Sequence, residues 1–193
     1  MQKNRLEAFS DAVIAIILTI MVLELKVPHG TDLHALRPLV PVFGAYLMSY
    51  VYLGTYWNNH HHMLHATDHI DGKILWANLH LLFWLSLIPF STGWLADHEL
   101  AAVPTALYGV VLLCAAIAYT ILQSMIIAHG GPNKILREAV GRDRKGKLSI
   151  VAYAVAVAVA FIEPVISVAV YIAVLFLWFI PDRRIERKLG HSH

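Results

Sequence analysis

Five histidines, His60, His61, His62, His65 and His69, crowd one short stretch of the chain, with Asp68 and Asp71 beside them. Imidazoles at that density can hold a divalent transition metal through their ring nitrogens, or gain and lose a proton near neutrality. If the stretch is helical, His61, His65 and His69 share a face at i, i+4, i+8 spacing, which suits a metal. A polar connecting loop with no chemical task is the third reading. A second set of polar residues stands near the N-terminus, where Arg5, Ser10 and Asp11 precede a run of apolar residues. A charge at the start of an apolar helix either complements the helix dipole or seeks a partner inside the protein. For Asp11 the candidates by residue type are Arg5, Asn78 and His80.

The elements that must position these groups are set by composition. The chain has 193 residues, 58% of them hydrophobic and 15% charged, with a mean hydropathy of +0.61. A soluble domain of this size cannot hide that much apolar surface, so the excess must face lipid. A net charge of only +2 argues against a nucleic-acid partner. The single cysteine, Cys114, excludes an intrachain disulfide and a cysteine-based zinc site. No cofactor or metal is implied.

A helix needs about 20 mostly apolar residues to cross the hydrocarbon. Six stretches qualify or approach this: Ala8 to Val27, Leu39 to Trp57, Ile74 to Leu95, Ala101 to Ala128, Leu148 to Ile162, and Pro164 to Ile180. The first is not a cleaved signal, since Glu24-Leu25-Lys26-Val27-Pro28 offers no small-residue cleavage site. The fifth alternates Ala and Val from Ala154 to Ala160, a strand period. A lone strand in lipid leaves its backbone unpaired, so a helix is expected, with Ala152, Ala156 and Ala160 as a close-packing face.

Six spans put both termini on one side. Thirteen of the fifteen lysines and arginines then share that side, leaving Lys26 and Arg37 opposite. The positive-inside rule makes it the cytoplasm. The expectation is an all-α integral membrane protein of the cell membrane, residues 1–193 forming one six-helix domain. The basic stretch from Lys134 to Lys147 and the tail from Arg183 read as topology signals and contacts to anionic headgroups.

The first helix differs from the rest. At about 100° per residue, Ile16, Ile20 and Leu23 form one stripe with Thr19 at its margin. Ser10 and Asp11 fall on the other side. The polar end can therefore pack into the subunit's own helices while the apolar stripe faces something else. Beyond Leu23, Glu24 could concentrate cations or simply pair with Lys26.

Arg5-x-x-x-Phe9-Ser10-Asp11, followed by Val13, Ala15-Ile16, Thr19 and Leu23-Glu24-Leu25, resembles the RxxxFSD first helix of the endolysosomal potassium channel family in its prokaryotic branch. Tyr56-Trp57, His60-His61, Asp71, Leu75-Trp76 and Asn78-Leu79 are similar to that family too, and the likeness is only architectural beyond about Pro89. The resemblance implies a homotetramer that passes potassium ions, with the first helix lining the pore. Family pore positions fall on Ile16, Thr19, Ile20 and Leu23, the stripe already found. It also implies that Arg5, Phe9, Ser10 and Asp11 hold the pore helix, the polar ones by hydrogen bonds and Phe9 by packing, with His80 and Trp84 as third-helix candidates.

The chain contains no Thr-Val-Gly-Tyr-Gly loop, so a carbonyl-ring filter is absent and an apolar constriction is expected to gate by dewetting. The rival reading is a divalent-metal transporter using the His60 to His69 cluster. Such a transporter places carboxylates or histidines near the bilayer midplane, where His80 alone stands. A membrane oxygenase would need His boxes on more than one connection, and an accessory protein with no transport of its own is a third possibility.

Overall fold

The computed structural model describes residues 3–65, 67, 70–98, 100–129 and 143–179. Among them seven α-helices follow in order: α1 Lys3–Leu23, α2 Val40–His65, α3 Gly72–Ser86, α4 Ile88–Asp97, α5 Ala102–His129, α6 Arg144–Val159 and α7 Pro164–Phe179. A 3-10 turn, Leu33–Leu39, precedes α2. The third expected span is divided between α3 and α4.

The division has a local cause. Pro89 has no N–H, and its ring crowds the carbonyl four residues back, at Leu85. The Leu87 N–H turns to the Trp84 carbonyl at 3.2 Å, and the ladder restarts with the Ser91 N–H on the Leu87 carbonyl at 3.1 Å. Together Gly72–Asp97 still has the length and apolarity of a membrane span, as do Lys3–Leu23 and Ala102–Ala128. Pro164–Trp178 is apolar but shorter.

Other ends follow capping rules. Asp71 takes an extended backbone and its carboxylate accepts from the Ile74 N–H at 2.8 Å, which starts α3. Pro164 opens α7 at a position where no N–H is needed. The Ala/Val alternation lies in α6 up to Val159, as helix and not strand. Two helices begin or end elsewhere than the apolar runs do. α1 starts at Lys3, five residues before Ala8, and α2 continues past Trp57 to His65.

α5 touches α3, α4, α6 and α7, while α1 lies against α2, α3 and α4. Two cores result. One joins α1, α2, α3 and α5 through Leu6, Ile14, Ile17, Leu53, Leu81 and Leu122. The other joins α2, α5, α6 and α7 around Tyr52, Tyr108, Tyr153 and Tyr171. Lipid is as apolar as leucine, so packing and interhelical hydrogen bonds must hold such helices together. Ser49 Oγ lies 2.7 Å from Thr92 Oγ1 and 2.9 Å from the Tyr108 hydroxyl, tying α2 to α4 and α5. The Tyr153 hydroxyl donates to that of Tyr52 at 3.1 Å, Tyr171 donates to the Thr105 carbonyl at 3.1 Å, and Trp178 Nε1–H donates to Ser149 Oγ at 2.8 Å.

Gly109 is what lets α5 approach α6 and α7. A side chain there would collide with the Tyr171 hydroxyl and with Val157. Gly109→Val should therefore cost about 1–3 kcal/mol, the usual penalty of overpacking. The check is a lower thermal midpoint in detergent. Gly109→Ala should recover part of its own loss when Tyr171→Phe removes the colliding hydroxyl.

Candidate functional site

α1 divides lengthwise. Leu6, Ser10, Ile14, Ile17 and Met21 recur every three or four residues and are buried against α2, α3 and α4. The opposite edge is bare. Ile16 is 56% exposed, Ile20 44% and Leu23 78%, and Thr19 is exposed beside them. The Thr19 hydroxyl donates to the Ile16 carbonyl at 2.9 Å. Its proton is spent within the helix, so the oxygen presents lone pairs outward.

The orientation of α1 is fixed by a chain of hydrogen bonds across three helices. Ser10 Oγ–H donates to the Leu6 carbonyl at 2.9 Å. Asn78 Nδ2–H donates to Ser10 Oγ at 2.9 Å, which leaves Asn78 Oδ1 to accept from His60 Nε2–H at 2.7 Å. Because the chain ends on a carbonyl, which can only accept, each proton has one place. Ser10, Asn78 and His60 are all buried.

His60 thus carries a proton on Nε2, and its burial favours the neutral ring. It stands in the extension of α2 beyond the apolar span that ends at Trp57. Burial pushes it below the usual histidine value, against the Asn78 bond and the Asp11 and Glu7 carboxylates, which push it back up.

Asp11, half-buried, accepts from Trp57 Nε1–H at 2.9 Å, and the Trp57 ring stacks on His61 with centroids 6.2 Å apart. None of the three expected partners holds Asp11 by a hydrogen bond. Arg5 is exposed and has no ion-pair or hydrogen-bond partner among the described residues. Asn78 is engaged by Ser10. His80, also exposed, accepts from Trp84 Nε1–H at 2.9 Å one turn along α3, so this pair bonds within its own helix and not to α1. Phe9, 48% exposed, lies on the bare side of α1. Within one chain, then, Ser10 and Asp11 hold the first helix, while Arg5 and Phe9 face outward.

Of the five clustered histidines, the structure describes the side chains of His60, His61 and His62. His60 turns inward and His61 outward. Both lie on α2 together with His62, and not in a loop. The His65 side chain, Asp68 and His69 lie outside the described residues, as do most of the basic stretch from Lys134 and the tail from Arg183. Among the described residues no three His, Cys, Asp or Glu side chains are placed to share a metal ion.

Trp57 and His60 are the functional contacts that residue spacing alone did not single out. The available signal was their i, i+3 placement, which lets them meet two polar residues, Asp11 and Asn78, in otherwise apolar helices.

A family model described as endosomal/lysosomal potassium channel TMEM175 matches residues 5–89, which contain α1, α2, α3 and both hydrogen-bonded anchors. A potassium channel of Chryseobacterium sp. (strain P1-3) is 51% identical over 192 residues, covering 100% of both chains. A potassium channel of Streptomyces collinus is 33% identical over 129 residues, 63% of each chain. Among solved structures, the crystal structure of a lysosomal potassium-selective channel TMEM175 homolog from Chamaesiphon minutus matches with a TM-score of 0.76. It is 27% identical and covers 93% of this chain and 97% of that one.

Two outcomes test the anchor. Asn78→Leu strands the His60 donor, a loss of about 1–3 kcal/mol for a buried unsatisfied group, read as a lower thermal midpoint in detergent. The second is a pH dependence. The folded value of His60 lies below its unfolded value, so the unfolded chain takes up the extra proton. Stability from this group is complete above about pH 6.5, the unpaired histidine value, and falls as pH drops below it. His60→Gln, which keeps a donor toward Asn78, should flatten part of the decline between about pH 7 and 5. An unchanged slope would refute the neutral, buried assignment.

Proposed function

We propose that this chain, which belongs to the TMEM175 family of ion channels, assembles as a homotetramer whose four α1 helices line a potassium-permeable pore across the cell membrane. The carrying observation is the bare edge of α1. A helix whose other side is locked by buried hydrogen bonds offers Ile16, Thr19, Ile20 and Leu23 to whatever lies beyond the subunit. One such edge per chain encloses nothing, and several copies around an axis enclose a path.

In this reading six spans, α3 and α4 counting as one, put both termini in the cytoplasm, and the chain is a single channel domain. Ile16, Ile20 and Leu23 form a hydrophobic neck. When it closes below the width of water the liquid leaves, and an ion cannot cross without its hydration shell. A small widening readmits water. Potassium sheds water at lower cost than sodium, and the outward lone pairs of Thr19 replace part of what is lost. No backbone carbonyl ring of the Thr-Val-Gly-Tyr-Gly type takes part, because the sequence has none.

Arg5 and Phe9 fit the same picture. Exposed on the bare side of α1 in one chain, they are placed to contact a neighbouring copy. His80, exposed on α3 and bonded to the half-buried Trp84, is placed likewise. The polar pair escapes lipid only if another subunit covers it.

The test is reversal potential in mixed potassium and sodium solutions, using purified chain in planar bilayers. A potassium-favouring shift is expected. Ile16→Asn should wet the neck and raise basal conductance by roughly an order of magnitude, since the barrier there is dehydration of the ion. Unchanged or lower current in a normally assembled Ile16→Asn channel, or no ion flux from the wild type, would overturn the proposal.

A further inference from the structure

The bare edge of α1 opens onto a groove shared with α4 and the end of α3, and both carboxylates at its far end, Glu24 and Asp97, belong to its walls along with Ile16, Ile20, Phe90 and Trp94. Resting on the α1-lined pore, we propose that Glu24 is the charge-selecting residue of the permeation path. It acts by its field on cations approaching the hydrophobic neck and not as a ligand.

Position is the first argument. Glu24 follows Ile20 by four residues and Ile16 by eight, and its carboxylate lies over α4 at Gly93. A β-carbon at Gly93 would stand 3.6 Å from Glu24 Oε2, an ordinary van der Waals contact, which places the carboxylate beside α4. Four copies around an axis would set four carboxylates directly beyond the Ile16, Ile20 and Leu23 neck.

Charge balance is the second. The natural neutraliser of Glu24 is Lys26, two residues on, but the Lys26 ammonium is drawn to Asp97 Oδ2 at 3.5 Å. Glu24 itself has no side-chain hydrogen bond or ion pair among the described residues. Whichever acid Lys26 visits, two carboxylates against one ammonium leave one net negative charge per chain at this mouth. Asp32 and Arg37, in the connection to α2, offset one another. The neck is apolar and has no preference for sign, so discrimination between cations and anions must arise at its entrances.

A field of this kind is screened by salt. The Debye length is about 3 Å at 1 M and about 30 Å at 0.01 M. The experiment is single-channel potassium conductance of the full-length protein in planar bilayers, with the far side bathed in about 20 mM or 1 M KCl. Glu24→Gln, at an exposed helix end where folding is unaffected, should reduce conductance from that side by roughly twofold or more in dilute salt and leave it unchanged at 1 M. Asp97→Asn should give a similar loss in dilute salt by freeing Lys26 to neutralise Glu24, and should deepen the loss when Glu24 is already Gln, because the mouth then carries the Lys26 charge alone.

Wild-type conductance for Glu24→Gln in dilute salt would overturn the assignment. A parallel Ile16→Cys channel separates the two readings. If a permeant thiol reagent blocks it while Glu24→Gln has no effect, the mouth residue falls and the pore stands. If the reagent leaves a conducting Ile16→Cys channel untouched, both fall.

Discussion

The structure depends on the cost of leaving a polar group unpaired among apolar helices. A helix made mainly of isoleucine, leucine and alanine has little reason to prefer one rotation over another in lipid, since every side is equally greasy. Ser10 supplies the reason. Its hydroxyl sits in the one place where it can donate to Leu6 and accept from Asn78, and rotating α1 by even one residue would strand the Asn78 amide N–H. The rotation that satisfies this chain also turns Ile16 and Leu23 away from the subunit. The exposure of the apolar edge is therefore a consequence of the polar bonds opposite it.

The tyrosine core performs a similar task for the other half of the bundle. Tyr52, Tyr108, Tyr153 and Tyr171 each hydrogen-bond through the hydroxyl, and Gly109 removes the side chain that would hold α5 away from them. α5, α6 and α7 thereby become a fixed wall on which α2 and α4 lean. α1 touches α2, α3 and α4 and has no such wall behind its other face. Rigid backing on one side and nothing on the other is the arrangement in which a helix can both be held in register and serve as a lining.

How much of this the sequence reveals depends on whether a feature is local. The all-helical class, the helix through the Ala154–Ala160 alternation and the two opposed faces of α1 follow from periodicity and from the need to pair backbone groups in lipid. The break at Leu87 also has a local cause in Pro89, but hydropathy runs through it unbroken, so the apolar run reads as one span. The partners of Asp11 and Asn78 are not local. Trp57 and His60 reach them only after three helices have been set in rotation and height together, and several histidines, asparagines and arginines compete by residue type alone. His60, one residue before His61, is claimed by Asn78, a bond that residue spacing does not disclose. That bond sets the rotation of the end of α2.

The break at Pro89 also shapes the far end of the bundle. A straight α3 continued for another ten residues would keep its course. The interruption gives α4 a path of its own, against α1, α2 and α5. Ser49 then fixes α4 through Thr92, so that Asp97 ends within reach of Lys26 and Gly93 lies under Glu24. Lys26 and Asp97, 71 positions apart in sequence and just beyond α1 and at the end of α4, are brought to one rim by a missing N–H in between. If α1 lines the pore as proposed, its apolar edge sets where the path runs, and the proline-directed course of α4 sets which charges stand at its entrance.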